Sequence, residues 1–175
     1  MILDYNPPTA SSHSPEGERA SIKKYPDPIL RKKSEEVKEI NEEVRRLIRD
    51  MFEIMYKNQG VGLTAPQIGV LKRIAVVDIG SGPQVFLNPK ILKKKGKEIS
   101  EEGCLSVPGV FLRIKRAKEI EVEALNEEGE SFRLRATDLL SRCLQQEIDH
   151  LNGILIIDRV SFWEKLKRKI FSPFR

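Results

Sequence analysis

A chain of 175 residues with 39% hydrophobic and 33% charged residues is long enough for one domain with a real core and fits a soluble globular protein. No apolar run approaches membrane-spanning length, which argues against a transmembrane helix. The formal net charge of +5 permits a polyanionic partner without demanding one, and two cysteines without a secretion signal suit a reduced, cytoplasmic chain.

The first twenty residues, MILDYNPPTASSHSPEGERA, show no helical or strand period and read as a flexible leader. They lack the basic start and apolar centre of a secretory signal, and Asp4, Glu16 and Glu18 argue against a transit peptide. Tyr25-Pro26-Asp27-Pro28 cannot be helix interior. Asn41 then opens a predicted helix whose apolar stripe is Val44, Leu47, Ile48, Met51, Phe52 and Met55, read as core packing. Gly60 is its expected stop.

GVGLTAPQIGV, residues 60 to 70, has neither G-x-G-x-x-G order nor a G-K-[ST] ending, so a nucleotide loop is not indicated. Its glycines are read as letting backbone approach a ligand closely. RIAVVDIG, QVFLNPK, KEIEVEAL and SFRLRA read as strands, with Ile120, Val122 and Ala124 on one side and NEEGE as a turn. The basic ILKKKGKEI has no interleaved aromatics and is expected to be a solvated hairpin edge, not a sequence-specific nucleic-acid surface.

Thr137 is the expected cap of a second helix, TDLLSRCLQQEIDHLNG, ended by Asn152-Gly153. Leu140, Leu144, Ile148 and Leu151 form its apolar stripe, while Cys143, Gln146, Glu147 and His150 share a neighbouring face. The hydrolytic signature H-E-x-x-H places two histidines four apart on one helical face, with a general base between them. Here Glu147 and His150 are present and Gln146 stands where the first histidine belongs. The only other histidine is His13 in the leader, so His150 is the sole imidazole of the folded part. The chain ends in SFWEKLKRKIFSPFR, an amphipathic basic tail expected to be helical from about Trp163.

Three segments in this order, GVGLTAPQ, EEGCLSVPG and QQEIDHLNG, resemble the three motifs of the peptide deformylase family, and the resemblance runs from about Ile22 to the C-terminus. It implies an α+β fold with antiparallel sheets around a central motif-bearing helix and a basic C-terminal helix. Residues 1–20 would be leader, 21–160 the catalytic domain and 161–175 the tail. The implied activity is metal-dependent removal of the formyl group from the N-terminal methionine of nascent proteins. Cys104 and His150 match two metal ligands and Gln146 the third, an exchange that weakens the site because an amide is a poorer donor than imidazole. The implied ion is Fe2+, with Zn2+, Ni2+ or Co2+ as alternatives.

Glu147 matches the glutamate that moves the proton, and Gln67 and the Leu105 N–H match the oxyanion donors. Val61, Gly62 and Gly103 match the wall of the peptide groove. Thr64 replaces an alanine of the pattern, with little expected effect. Asp149 is read either as support for a ligand or as a surface carboxylate, and Cys143 as packing or pocket wall. Lys165, Lys167, Arg168 and Lys169 resemble a ribosome-docking patch, though a solvated helix end fits them equally. A member that binds peptide or ribosome without turnover is the competing reading, and a metalloprotease-like hydrolase ranks below both.

Overall fold

The computed structural model describes residues 21–160, so the leader and the basic tail lie outside the described residues. Asn41 sits where an N-cap should, and its side chain accepts a hydrogen bond of 3.1 Å from the Val44 N–H. Helix α1 follows as Glu42–Lys57, with Glu42 and Glu43 at its positive end and Lys57 at its negative end. Val44, Ile48, Met51 and Met55 are buried along one stripe, with Leu47 and Phe52 packed beside them. The helix stops before the expected Gly60: the chain takes its left-handed residue at Gln59, with φ 55°.

Seven strands follow: β1 Gly62–Thr64, β2 Ile74–Val77, β3 Gln84–Lys95, β4 Glu98–Cys104, β5 Val107–Arg116, β6 Glu119–Leu125 and β7 Ser131–Thr137. Five of them form an antiparallel sheet in the order β1-β2-β3-β6-β7, while β4 and β5 pair separately as a hairpin. Strand β2 is buried on both faces, and its alternation divides the core. Ile74 and Val76 join the cluster of α1, whereas Ala75 and Val77 join the cluster of the second helix, α2 at Asp138–Leu151. Each face of the sheet therefore carries its own helix.

The β4–β5 hairpin has no counterpart among the sequence-predicted strands. Its turn is Leu105-Ser106, without the Asn-Gly or Asp-Gly pair that announces a tight hairpin. The lysine run is solvated as expected but is not a simple hairpin edge. Lys93, Lys94 and Lys95 continue β3 against Glu121, Ile120 and Glu119 of β6, and the chain then crosses at Gly96 into the other sheet. Leu30, Leu112, Ile114, Leu155 and Ile156 make a third cluster that seats the hairpin. Thr137 precedes α2 as expected, yet its side chain makes no capping bond. Beyond α2, Gly153 passes so close to Arg31 that a side chain there would collide with the Arg31 carbonyl.

Candidate metal centre and active site

Three elements converge. A 3-10 turn at Ala65–Ile68 after β1 brings Gln67, the β4–β5 turn brings Cys104, Leu105 and Ser106, and α2 brings Gln146, Glu147 and His150. At 100° per residue, Cys143, Gln146, Glu147 and His150 fall within one sector of α2, beside the sector of Leu140, Leu144, Ile148 and Leu151. The Cys104 Sγ lies 3.2 Å from His150 Nε2 and accepts from the Ser106 N–H at 3.4 Å. Gln146 stays beside them and donates from Nε2 to the Gly103 carbonyl at 3.1 Å. The sequence-predicted site residues of the second and third motifs are thus brought together.

Gln67 is fixed at both ends of its amide. Its Nε2 donates to Ser106 Oγ at 3.1 Å and lies 3.9 Å from Cys104 Sγ. Its Oε1 accepts from the Thr64 N–H at 2.9 Å and from the Thr64 hydroxyl at 3.0 Å. Thr64 therefore does more than fill the place of an alanine, because its hydroxyl sets which end of Gln67 faces the thiol. Ser106, fully buried and accepting from Gln67, belongs to the site; it stands in the second motif, where no pattern assigned it a role of its own.

Glu147 is buried, and its Oε2 has no hydrogen-bond partner among the described residues. Gly62 makes the room for it: a Cβ built there would stand 2.6 Å from Glu147 Oε1 and 2.8 Å from Cys143 Sγ. The close backbone approach expected of this glycine is thus made to the Glu147 carboxylate. Cys143 is free and buried, and its thiol reaches the Val61 carbonyl at 3.6 Å, which makes it wall and not ligand. Val61 is exposed at the rim.

Burial governs the titration of all three central groups. It pushes the Glu147 carboxyl up to about 8, against the pull of Arg116, and it pushes the Cys104 thiol up to about 12. It brings His150 down to about 4, with Asp149 acting the other way. Left to themselves, the three groups would all be neutral at pH 7. A cation placed among them is the charge that would reverse this, favouring thiolate and carboxylate together.

The residues present fit such an ion by two strong donors and one weak one. No group of three His, Cys, Asp or Glu able to hold a metal exists among the described residues. The 3.2 Å separation of Cys104 Sγ and His150 Nε2 suits two ligands of one ion, given bonds of about 2.3 Å to sulfur and about 2.0–2.1 Å to nitrogen. Gln146 offers only an amide oxygen, and its Nε2 is held by the Gly103 carbonyl.

Behind the site runs a buried ion network. Arg116 grips Glu102 through two bonds of 2.6 and 2.9 Å and donates to Asp149 at 2.8 Å, while Arg159 holds the same Asp149 at 2.8 Å. Glu102 lies two residues before Cys104 and Asp149 immediately before His150, so one guanidinium ties the thiol-bearing hairpin to the imidazole-bearing helix. Asp149 is accordingly no surface carboxylate, since only 8% of it is exposed. Glu102 and Asp149 raise the Arg116 pKa despite the opposing effect of its burial.

A buried carboxylate and imidazole on a helix carrying E-x-x-H, set against the Cys104 thiol and the Gln67 amide, define the class: a hydrolase of amide bonds. The sequence model of the family described as polypeptide deformylase matches residues 19–166. Peptide deformylase of Clostridium botulinum is 52% identical over 141 residues, covering 81% of this chain and 96% of that protein. The peptide deformylase of Thermodesulfovibrio yellowstonii is 49% identical over 155 residues, covering 86% and 92%. Among solved structures, a peptide deformylase from Synechococcus elongatus in complex with actinonin superposes with a TM-score of 0.83 at 39% identity, covering 94% of this chain and 93% of that one. The Thermotoga maritima peptide deformylase gives 0.80 at 42% identity, covering 83% and 99%. The chain belongs to the polypeptide deformylase family.

Proposed function

We propose that this chain removes the formyl group from the N-terminal formyl-methionine of nascent peptides, at a rate held down by Gln146. The observation that carries the reading is Glu147, buried with an unpartnered Oε2 beside the Cys104–His150 pair. Cys104, His150 and, weakly, the Gln146 amide oxygen would hold one divalent cation, Fe2+ by preference. That ion would supply Lewis acidity for water and for the formyl carbonyl.

The chain's own groups do the rest. The peptide backbone lies along Val61, Gly62 and Gly103, and the Gln67 Nε2 and Leu105 N–H face the formyl oxygen as charge builds on it. Preorganised donors of this kind are worth about 2.7–4 kcal/mol each. Glu147 takes a proton from the attacking water and returns it to the amine nitrogen as the C–N bond breaks, releasing formate and a free methionine terminus. Gln67 needs no reorganisation, because Thr64 and Ser106 already aim it.

The setting follows from the substrate. Nascent peptides place the enzyme in the cytoplasm, and Lys165, Lys167, Arg168 and Lys169 are proposed to meet the ribosome electrostatically. No helix among the described residues is long and apolar enough to cross a membrane.

A second reading, peptide binding without turnover, is favoured by one observation: the Gln146 amide is already engaged by Gly103. A formyl-Met tripeptide assay under anaerobic iron separates the two. Turnover that falls about 100–10,000-fold in Glu147→Gln supports the enzyme. Tripeptide binding with no turnover above buffer would replace it with the second reading.

A further inference from the structure

The peptide unit between Leu105 and Ser106 is held at both of its ends. Its N–H, on Ser106, donates to Cys104 Sγ at 3.4 Å, and its carbonyl, on Leu105, accepts from the Lys24 ammonium. One planar, delocalised amide therefore connects a cation to the sulfur of the site. Among the described residues this is the only hydrogen bond of the Lys24 side chain, and the lysine forms no ion pair. Neither the hydrogen bonds of Gln67 nor the setting of Glu147 involves it.

The backbone on either side of Lys24 is pinned to the same two site-bearing segments. The Lys23 N–H donates to the Gln67 carbonyl at 2.7 Å, and the Tyr25 N–H donates to the Ser106 carbonyl at 2.8 Å. Ile22 is buried in the cluster of α1, while Tyr25 packs into the third cluster, to which Cys104 also belongs. The Arg31 guanidinium lies over the Tyr25 ring, 5.6 Å from its centre. Residues 22–25 thus form a strap across the Gln67 turn and the Cys104 turn, with Lys24 fixed at the level of the carbonyl it serves. Lys24 is itself exposed, so this contact orders a side chain that burial does not.

We infer that Lys24 is a positioning residue that acts on the Cys104 sulfur through the Leu105–Ser106 peptide. A cation on the amide oxygen draws electron density from the amide nitrogen, which makes the Ser106 N–H a stronger donor to sulfur. Hydrogen bonds in series strengthen one another by about 10–30% per bond. The stronger N–H···S bond lowers the sulfur lone pairs in energy and fixes their direction, and such bonds set how strongly a ligating sulfur donates to a metal. The consequence for a bound ion rests on the reading of Cys104 as a ligand, whereas the polarised N–H···S bond does not.

The test reads the Ser106 amide proton by NMR in the full, metal-free, isotope-labelled chain, with no turnover involved. Lys24→Met is expected to move that proton upfield, as a weaker N–H···S bond requires, and Lys24→Arg to keep it near its starting place. Lys23→Met removes a like charge one residue away and keeps the backbone bond to Gln67, so it should leave the proton unmoved. Thermal melts confirm that all three variants fold. At saturating Co2+, the thiolate-to-cobalt charge-transfer band of Lys24→Met should lie at lower energy than that of the parent chain, and Lys24→Arg should restore it. An unmoved Ser106 proton in folded Lys24→Met, an equal shift in Lys23→Met, or an unchanged band in a chain that holds cobalt would overturn the assignment. A chain that shows the Ser106 shift but takes up no Co2+ would leave the action of Lys24 standing and remove the catalytic reading.

Discussion

Arg116 offers the sharpest test of how the site is held. Its guanidinium is 5% exposed and satisfies Glu102, itself 7% exposed, through two bonds, and one oxygen of Asp149. Replacing it by alanine leaves Glu102 buried with no cation, whereas Asp149 keeps Arg159. Breaking a buried pair from one side costs about 3–5 kcal/mol, and the lost side-chain packing adds to it. Arg116→Ala should therefore lower the urea midpoint by that amount divided by the m-value, with m itself unchanged. Because Glu102 precedes Cys104 by two residues, the same variant should bind Co2+ more weakly and show an altered thiolate-to-cobalt absorption. Glu102→Leu/Arg116→Met, which removes both charges, should regain a large part of the stability while the cobalt spectrum stays altered. A loss below about 1 kcal/mol in Arg116→Ala, or an unchanged cobalt spectrum in a folded variant, would refute the reasoning.

Further outcomes follow from single contacts. Gly62→Ala should push Glu147 out of place, costing about 1–3 kcal/mol in denaturant melts and lowering turnover with little change in metal content. In the metal-free chain Glu147 keeps its proton to about pH 8 when folded and loses it above about 4.5 when unfolded, so stability falls as pH rises between those values. Glu147→Gln should flatten that slope in urea titrations at pH 5 and pH 8, and an unchanged slope would deny the buried neutral carboxyl. His150 works at the other end: lowered from 6.5 to about 4, it contributes stability at neutral pH that is lost as pH falls through that window. Thr64→Ala should release the Oε1 end of Gln67 and reduce turnover several-fold at unchanged thermal stability within about 1 kcal/mol.

Periodicity made α1, α2 and the β6–β7 pair legible, because each has a continuous pattern facing one core cluster. The β4–β5 hairpin was not, since Leu105-Ser106 carries no turn signal and Gly103 exists there for closeness to Phe111, at 3.0 Å from a built Cβ. Arg116 could have been found: in the second half of β5 the buried positions are Leu112, Ile114 and Arg116, an alternation that places a guanidinium on the core side. A charge at an inward position needs a partner, and Glu102 stands in the EEGCLS motif. Gly62 was legible as a place of close approach, but not as the neighbour of Glu147, because the two meet only when β1 is laid on α2. The hydrogen bonds of Thr64 and Ser106 to Gln67 depend on side-chain placement that no spacing encodes.

Everything about catalysis in this chain turns on Gln146. The direct measurement is ferrous-ion content and formyl-Met tripeptide turnover, both under anaerobic conditions, for the chain and its Gln146→His variant side by side. With two strong ligands and one weak amide, the chain should keep well under one ion after dialysis and turn over about 10–100-fold or more below the histidine variant, which should hold about one. Equal metal content and equal turnover in the two proteins, or no turnover in either when loaded with iron, would contradict the account.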